Sequence, residues 1–340
     1  MKQDNAAMSP YSLLSRYRRE TMGVAILWVI LYHAPIYIDQ LAYKAIKVTG
    51  YGGVDIFLLL SGMGIYRSLQ KNSVSRFLMN RLKRILPVWW GFLMIYLVVR
   101  GLCFHVHYSG SEVLSFATFT GFWLDHENQG DWYVYMIMLF YLISPTLFFL
   151  LKDSKRKRLT CAIMVIVAII VSSAFFGQFK LIVFSRVPIY MIGMYFCADL
   201  TDRPMVRKDW IICLIVLLVG AVALGLAITK APSLLWTYGL WWYPSILIAP
   251  ALSLLISKLF LILEKPLSAL YKLLRILGDS SLEILLATDL VFMHASSIDL
   301  GWISKKLSIV IAVFIAILFG ILFHLSIHKV TTFLTKKSSL

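Results

Sequence analysis

The chain has 340 residues, 60% of them hydrophobic and 15% charged, with a formal net charge of +16 and a mean hydropathy of +0.80. A soluble chain of this length needs a charged surface around one or two cores, so this composition excludes soluble enzymes and binding modules and points to a polytopic membrane protein. The positive balance is read as membrane topology, with no nucleic-acid partner expected, because Lys and Arg collect in alternate short connections.

A basic flank, residues 1–20, comes first. Ten apolar runs follow at about 21–38, 52–68, 85–104, 132–151, 159–176, 181–199, 210–229, 241–263, 277–295 and 307–328. Each approaches the ~20 residues a helix needs to cross a bilayer. The expectation is an all-α transmembrane domain over 21–330 with a short tail at 331–340. The first run lacks a small-x-small cleavage site and is read as an uncleaved span. Of the Lys and Arg residues, 24 fall in connections on one side and 7 on the other, with Arg186 and Lys258 inside spans. That asymmetry puts both termini in the cytoplasm of a cell (inner or plasma) membrane protein. Cys103, Cys161, Cys197 and Cys213 lie in or beside apolar runs without a Cys-x-x-Cys pair, so they read as packing residues, with neither disulfide framework nor metal site expected. The longest outer connection, 105–131, holds His105, His107, Glu112, Asp125, His126, Glu127 and Asp131, and reads equally as a solvated acidic loop or as a substrate-facing one.

Ionisable side chains inside spans are costly and usually face protein or a water-filled cavity. Counted at ~1.5 Å per residue, His33, Asp55, Arg186 and Asp289 fall in one outer layer, with Glu283 deeper. Arg186 could lock helices by pairing with Asp55 or Asp289, and His33 could be a packed, hydrogen-bonded histidine. The stretch "GYGGVDIFLLLSGMGIY" (50–66) enters the membrane through three glycines and carries Ser61-Gly62, where glycine permits close helix approach or contact with a substrate chain. In "FLMNRLKRILPVWW" (77–90), Arg81 and Arg84 share one helical face. They read as a positive-inside anchor with a Trp89-Trp90 interfacial belt, or as a cytoplasmic anion site, since guanidinium pairs bind phosphate in fork geometry.

Taken in order, "MGVAILWVILYH", "GYGGVDIFLLLSG", "FLMNRLKRILP", "WYVYMIMLFYLISP", "SRVPIYMIGM" and "LGDSSLEILL" resemble the membrane-bound acyltransferase-3 family across nearly the whole chain. The resemblance implies transfer of an acyl group, often acetyl, from acyl-CoA to a hydroxyl of an extracytoplasmic acceptor such as a bacterial surface polysaccharide. Acyl-CoA, acetyl-CoA in the simplest case, would be a co-substrate, and no permanently bound cofactor is implied. The family's first-span histidine maps onto His33, its arginine pair onto Arg81 and Arg84, and its Gly-Val-Asp and Ser-Gly elements onto Gly53-Val54-Asp55 and Ser61-Gly62. Trp132 and Tyr133, opening the fourth span, join Ser61, Gly62, Arg186 and Asp289 as expected support for substrate or structure. Two departures stand out. Many members carry an arginine eleven residues before the histidine, where this chain has Met22, and many place a histidine where it has Thr288 and Asp289.

The expected mechanism puts acyl-CoA phosphates near Arg81 and Arg84 and runs the pantetheine arm between spans. His33, about 21 Å beyond Arg19, would act as general base on the acceptor hydroxyl, with Asp55 orienting its ring. A covalent acyl-His33 intermediate is the variant. The rival readings are a transporter or flippase of an envelope precursor, for which midplane polar groups would suit, and a non-catalytic membrane partner.

Overall fold

A computed structural model describes residues 8–36, 39–124, 132–231, 233–264, 266–295 and 305–337. Serine opens the first helices on the basic side. Ser9 Oγ accepts from Ser12 N ahead of α1 (Pro10–Arg16), satisfying one of the free N–H groups of a first turn. Tyr17 separates α1 from α2 (Arg18–His33). A short amphipathic helix, α3 (Leu41–Val48), and one 3-10 turn lead into α4 (Gly52–Lys71). Ser73 then caps α5 (Val74–Phe104). The next connection folds as α6 (Gly110–Ala117) and α7 (Gly121–Leu124). After it come α8 (Trp132–Lys152), α9 (Lys157–Phe175), α10 (Gln178–Phe184) and α11 (Val187–Asp199). The chain continues through α12 (Arg207–Lys230), α13 (Leu234–Thr237), α14 (Ser245–Leu263), α15 (Ser268–Asp279), α16 (Ser281–Ala295) and α17 (Lys305–Lys337).

This is an all-α polytopic membrane protein with no strand among the described residues. Among those residues, eight helices are long and apolar enough to cross a membrane. They coincide with eight of the ten expected spans. The other two expected spans are helical but short: α2 has 16 residues and α16 has 15, giving roughly 24 and 22 Å against a ~30 Å hydrocarbon core. Both are packed by protein. α2 lies against α4, α15 and α16, and α16 lies against α17. The expected ninth span, 277–295, is broken at Ser280, and its first residues belong to α15. The sixth is also broken, at Ser185-Arg186, between α10 and α11.

The basic connections gather at one end of the bundle. There Arg16 meets Glu264 at 2.8 Å, Lys157 Nζ donates to the Ala198 carbonyl at 3.0 Å and Met205 N donates to the Met8 carbonyl at 3.0 Å. Contacts at the opposite end include Trp28 Nε1 to the Ile46 carbonyl at 2.7 Å and Tyr51 Oη to the Trp241 carbonyl at 2.6 Å. The indoles of Trp89 and Trp90 donate to the Phe116 and Ala117 carbonyls at 3.0 and 3.1 Å. They therefore tie the end of α6 to α5, a task beyond the interfacial belt expected for them. Asp125, His126, Glu127 and Asp131 lie outside the described residues.

Glycines set the closest helix approaches. A Cβ on Gly62 of α4 would collide with the Tyr190 carbonyl of α11, and one on Gly193 of α11 with the Leu59 carbonyl of α4. Gly23 of α2 and Gly278 of α15 meet the partner helix's backbone in the same way. Backbone-to-backbone approach of this kind supplies the van der Waals contact that holds helices together in lipid, where hydrophobic burial drives little association. The helix-approach reading thus applies to Gly62. Gly193→Ala forces backbone rather than a flexible side chain to move, so a loss of roughly 1–3 kcal/mol is expected. It would be read as a lowered unfolding midpoint in detergent, with Gly225→Ala, which meets open space, as the unaffected control.

Candidate functional site

A cavity of about 610 Å³ opens between α2, α4, α5, α8, α15, α16 and α17. Its polar wall carries Arg18, Arg81, Arg84, Ser61, His324 and His328, and it extends inward to Met22, Phe57 and Tyr133. Local sequence explains how three guanidinium groups reach one space. Arg81 and Arg84 are one turn apart on α5 and share a face. Arg18 opens α2, and its guanidinium is seated on Gly64 of α4, where a Cβ would lie 2.5 Å from Nη1. The Arg81 guanidinium carbon stands 5.4 Å from the Phe77 ring and 5.9 Å from the Tyr141 ring. Its Nε is buried without a hydrogen-bond partner among the described residues.

The cations around the rim behave differently. Arg19 is hydrogen-bonded to Asp279 through Nε at 2.7 Å, and Arg275 meets Glu20 at 2.6 Å. Among the described residues, Arg18, Arg81 and Arg84 form no such ion pair. Three facing guanidinium groups repel, and a medium poorer in water than bulk strengthens that repulsion. The arrangement concentrates positive charge in one cavity.

His33 lies apart from this cavity. It is exposed at the C-terminal end of α2, its ring edge-on to Tyr32 with centroids 5.0 Å apart. Its Nδ1 is 2.9 Å from the Val29 carbonyl oxygen. A carbonyl can only accept, so Nδ1 carries the hydrogen, and in the neutral ring Nε2 keeps the lone pair. Nε2 has no partner among the described residues.

Asp55 does not orient His33, as the sequence reading expected. Gly53 of α4 meets the Ala25 carbonyl of α2, and Gly50 packs on Trp28 and Tyr32. That register leaves Asp55 on the order of 12–15 Å below His33 along the helix. The two are not at one depth, because the chain returns through α3 before entering α4. Asp55 instead faces Arg186, with Oδ1 3.6 Å from Nε and side-chain exposures of 2% and 1%. The Arg186 guanidinium carbon is 4.8 Å from the Trp132 ring and 5.5 Å from the Trp242 ring. Its Nη1 donates to the Ile182 carbonyl at 2.6 Å, closing the break between α10 and α11. Trp132 therefore supports Arg186, while Tyr133 and Ser61 line the cavity and Gly62 packs α4 on α11. Asp289 is half-buried on α16. Thr288 is buried, and its hydroxyl donates to the Ile284 carbonyl at 2.8 Å.

Sequence reasoning missed Gly64, His324 and His328 as site residues. The signal for the two histidines was present, as a pair four residues apart inside the last apolar run. Met22 lines the cavity one helical turn beyond Arg18, whose side chain lines the same space.

Set beside known families, the chain matches acyltransferase-3, described as an acyltransferase domain, over residues 23–328. The chain belongs to this family. It is a membrane acyltransferase, and the match covers Arg81, Arg84 and His33 while starting just after Arg18 and Met22. No curated protein matches the chain, nor does any solved structure.

In this acyltransferase the buried pair tests the correction made above. Asp55→Asn leaves Arg186 charged and unpaired in a dry site, which costs roughly 3–5 kcal/mol. The expected outcome is a loss of thermal stability and membrane abundance for Asp55→Asn, which His33→Ala does not share. Normal stability with slow turnover would instead return Asp55 to the chemistry.

Proposed function

We propose that the enzyme takes an acyl group, acetyl in the simplest case, from acyl-CoA at its cytoplasmic end. It delivers the group to a hydroxyl of an extracytoplasmic carbohydrate or other envelope acceptor, across a bacterial inner (plasma) membrane. The observation that carries this reading is the cavity in which Arg18, Arg81 and Arg84 converge without an ion-pair partner among the described residues. A pyrophosphate fits such a cluster, since guanidinium forks bind phosphate oxygens through paired, charge-assisted hydrogen bonds. The same cavity runs from polar to apolar walls, as a ligand with a charged head and an uncharged pantetheine arm requires.

His33 is the general base. Its Nε2 takes the proton of the acceptor hydroxyl as that oxygen attacks the thioester carbonyl. A C–O bond forms, the C–S bond breaks, and the thiolate leaves and is reprotonated by the imidazolium, so the histidine returns to its starting form. The Val29 carbonyl does the orienting that an acid performs in a Ser-His-Asp arrangement, by holding Nδ1–H. The cavity ends at Met22, and His33 stands eleven residues, about 16 Å, further along α2. In this reading the pantetheine arm follows α2 across that interval, and the contact of α2 with α4 opens to admit it.

Loss of a general base typically costs about 10²–10⁴-fold in rate. His33→Ala should lower turnover by that order in a detergent assay with acetyl-CoA, with membrane abundance near wild type because the side chain is exposed. Turnover at the wild-type rate would remove His33 from the chemistry. Arg81→Ala and Arg84→Ala should raise the donor KM, each losing roughly 1.5–3 kcal/mol of phosphate contact. Comparing envelope glycans by mass with and without the enzyme would identify the group and its acceptor.

The reading also fixes an orientation. With Cys103 replaced by Ser, a cysteine placed at Glu112 should react with an impermeant thiol reagent on intact cells, and one at Lys71 should not. The reverse pattern would overturn the placement of the donor in the cytoplasm.

A further inference from the structure

Beside the large cavity lies a smaller one of about 210 Å³, walled in part by Lys83, Glu283, Ile327 and Thr331. Arg84, Asp279, His324 and His328 border both. His324 Nδ1 lies 2.9 Å from Oε1 of Glu283, a carboxylate with 7% side-chain exposure. An ionised carboxylate only accepts, so Nδ1 carries the hydrogen, leaving Nε2 as the free nitrogen of the ring. Nε2 has no partner among the described residues.

We propose that the smaller cavity binds a phosphate monoester. It would be the phosphate that acyl-CoA carries on its ribose, held apart from the pyrophosphate in the arginine cavity. This rests on the acyl-CoA reading above and adds the part of the donor it left unassigned. The charges favour it. Asp279 is paired with Arg19 and Glu283 is hydrogen-bonded to His324 Nδ1, so both carboxylates at the site have partners. Lys83, Arg84 and His328 remain for an anion. The order along the elements favours it too. Lys83 precedes Arg84 on α5, Thr331 lies a turn beyond His328 on α17, and the large cavity runs the opposite way, towards Tyr133 and Phe57. A donor whose acyl end points to Tyr133 leaves its ribose at the smaller cavity.

His324 gives the site a pH dependence. Neutral, with Nδ1–H committed to Glu283, its Nε2 can only accept and repels a phosphate oxygen. Protonated, it donates a charge-assisted hydrogen bond. The charged and titratable groups that bear on it are Glu283 on α16, Asp279 on α15, Lys83 and Arg84 on α5, Arg18 and Arg19 on α2, and His328 on its own helix. Binding of the monoester therefore weakens as pH rises through the histidine range.

The test uses the full chain in neutral detergent and measures binding of CoA and of 3′-dephospho-CoA by calorimetry at about pH 6 and pH 8. The wild type should prefer CoA by about tenfold at the lower pH, one charge-assisted contact, and by less at the higher. His324→Gln should narrow that preference and remove its change with pH, whatever it does to the affinity for 3′-dephospho-CoA. Glu283→Gln should move it the same way to a smaller extent. Because each variant is compared across two ligands, a general loss of folding would lower both affinities and not the ratio. An unchanged preference in His324→Gln, or equal binding of the two nucleotides by the wild type, would overturn the proposal. Phosphatidic acid binding that disappears in His324→Gln while the nucleotide preference stays would reassign the site to a lipid headgroup. Failure of the wild type to bind either nucleotide would overturn the acyl-CoA reading and this subsite together.

Discussion

The close seating of α4 against α2 on one side and α11 on the other is the constraint on which the site depends. Where Gly53 meets the Ala25 carbonyl, and where Gly62 and Gly193 meet Tyr190 and Leu59, the helices approach to backbone contact. A side chain at any of these positions would widen the gap. Two consequences follow from that one register. Gly64 comes to lie under the Arg18 guanidinium, and Ser61 comes to face the arginines of α5. The opposite end of the same pairing sets His33 well beyond the start of α4. The distance between the anion site and the histidine is thus a property of how two helices cross.

The charged groups in and beside the spans divide into two kinds. Asp55 and Arg186 offset each other's charge at 3.6 Å, with the guanidinium beside two tryptophans, and removing either would strand the other in a dry site. That pair fastens the break between α10 and α11 to α4. Arg18, Arg81 and Arg84 are not satisfied in this way, and the protein bears the cost of holding them together. A cluster that repels itself stabilises nothing in the empty protein, and its value lies in what binds to it. The first kind belongs to architecture, and in the reading proposed above the second belongs to ligand recognition.

Much of this was legible from the sequence. Apolar runs of the right length and the alternation of Lys and Arg gave the spans, since lipid leaves the backbone no other way to satisfy its hydrogen bonds. The spacing of Arg81 and Arg84 put two of the three guanidinium groups of the cavity on one face. Depth within a span was not legible, because counting residues from the end of an apolar run assumes straight helices that start at one plane. α2 ends at His33, α3 intervenes, and α4 starts lower, which separated His33 from the Asp55 that counting had placed beside it. Gly64 looked like one more small residue in a glycine-rich stretch, since nothing local distinguishes a glycine that packs a helix from one that seats a guanidinium. Arg18 was visible only as part of a basic flank. His324 and His328 were hidden by the strength of the apolar run around them. Their meaning depends on Glu283, forty-one residues earlier in the chain, and no spacing rule connects the two.

The shortness of α2 has a bearing on how the molecule is made. At 16 residues it cannot rest in lipid alone, and the partner that covers its glycine face is α15, reached only after some 250 residues more have been synthesised. The helix is thus completed by one made long after it. Until α15 closes on Gly23, the wall that Arg18 contributes has no fixed place. A chain stopped short of α15 would carry most of its spans into the bilayer and still have no anion cavity. The seam between α2 and α15 joins segments far apart in the sequence, and the arginine cavity lies along that seam.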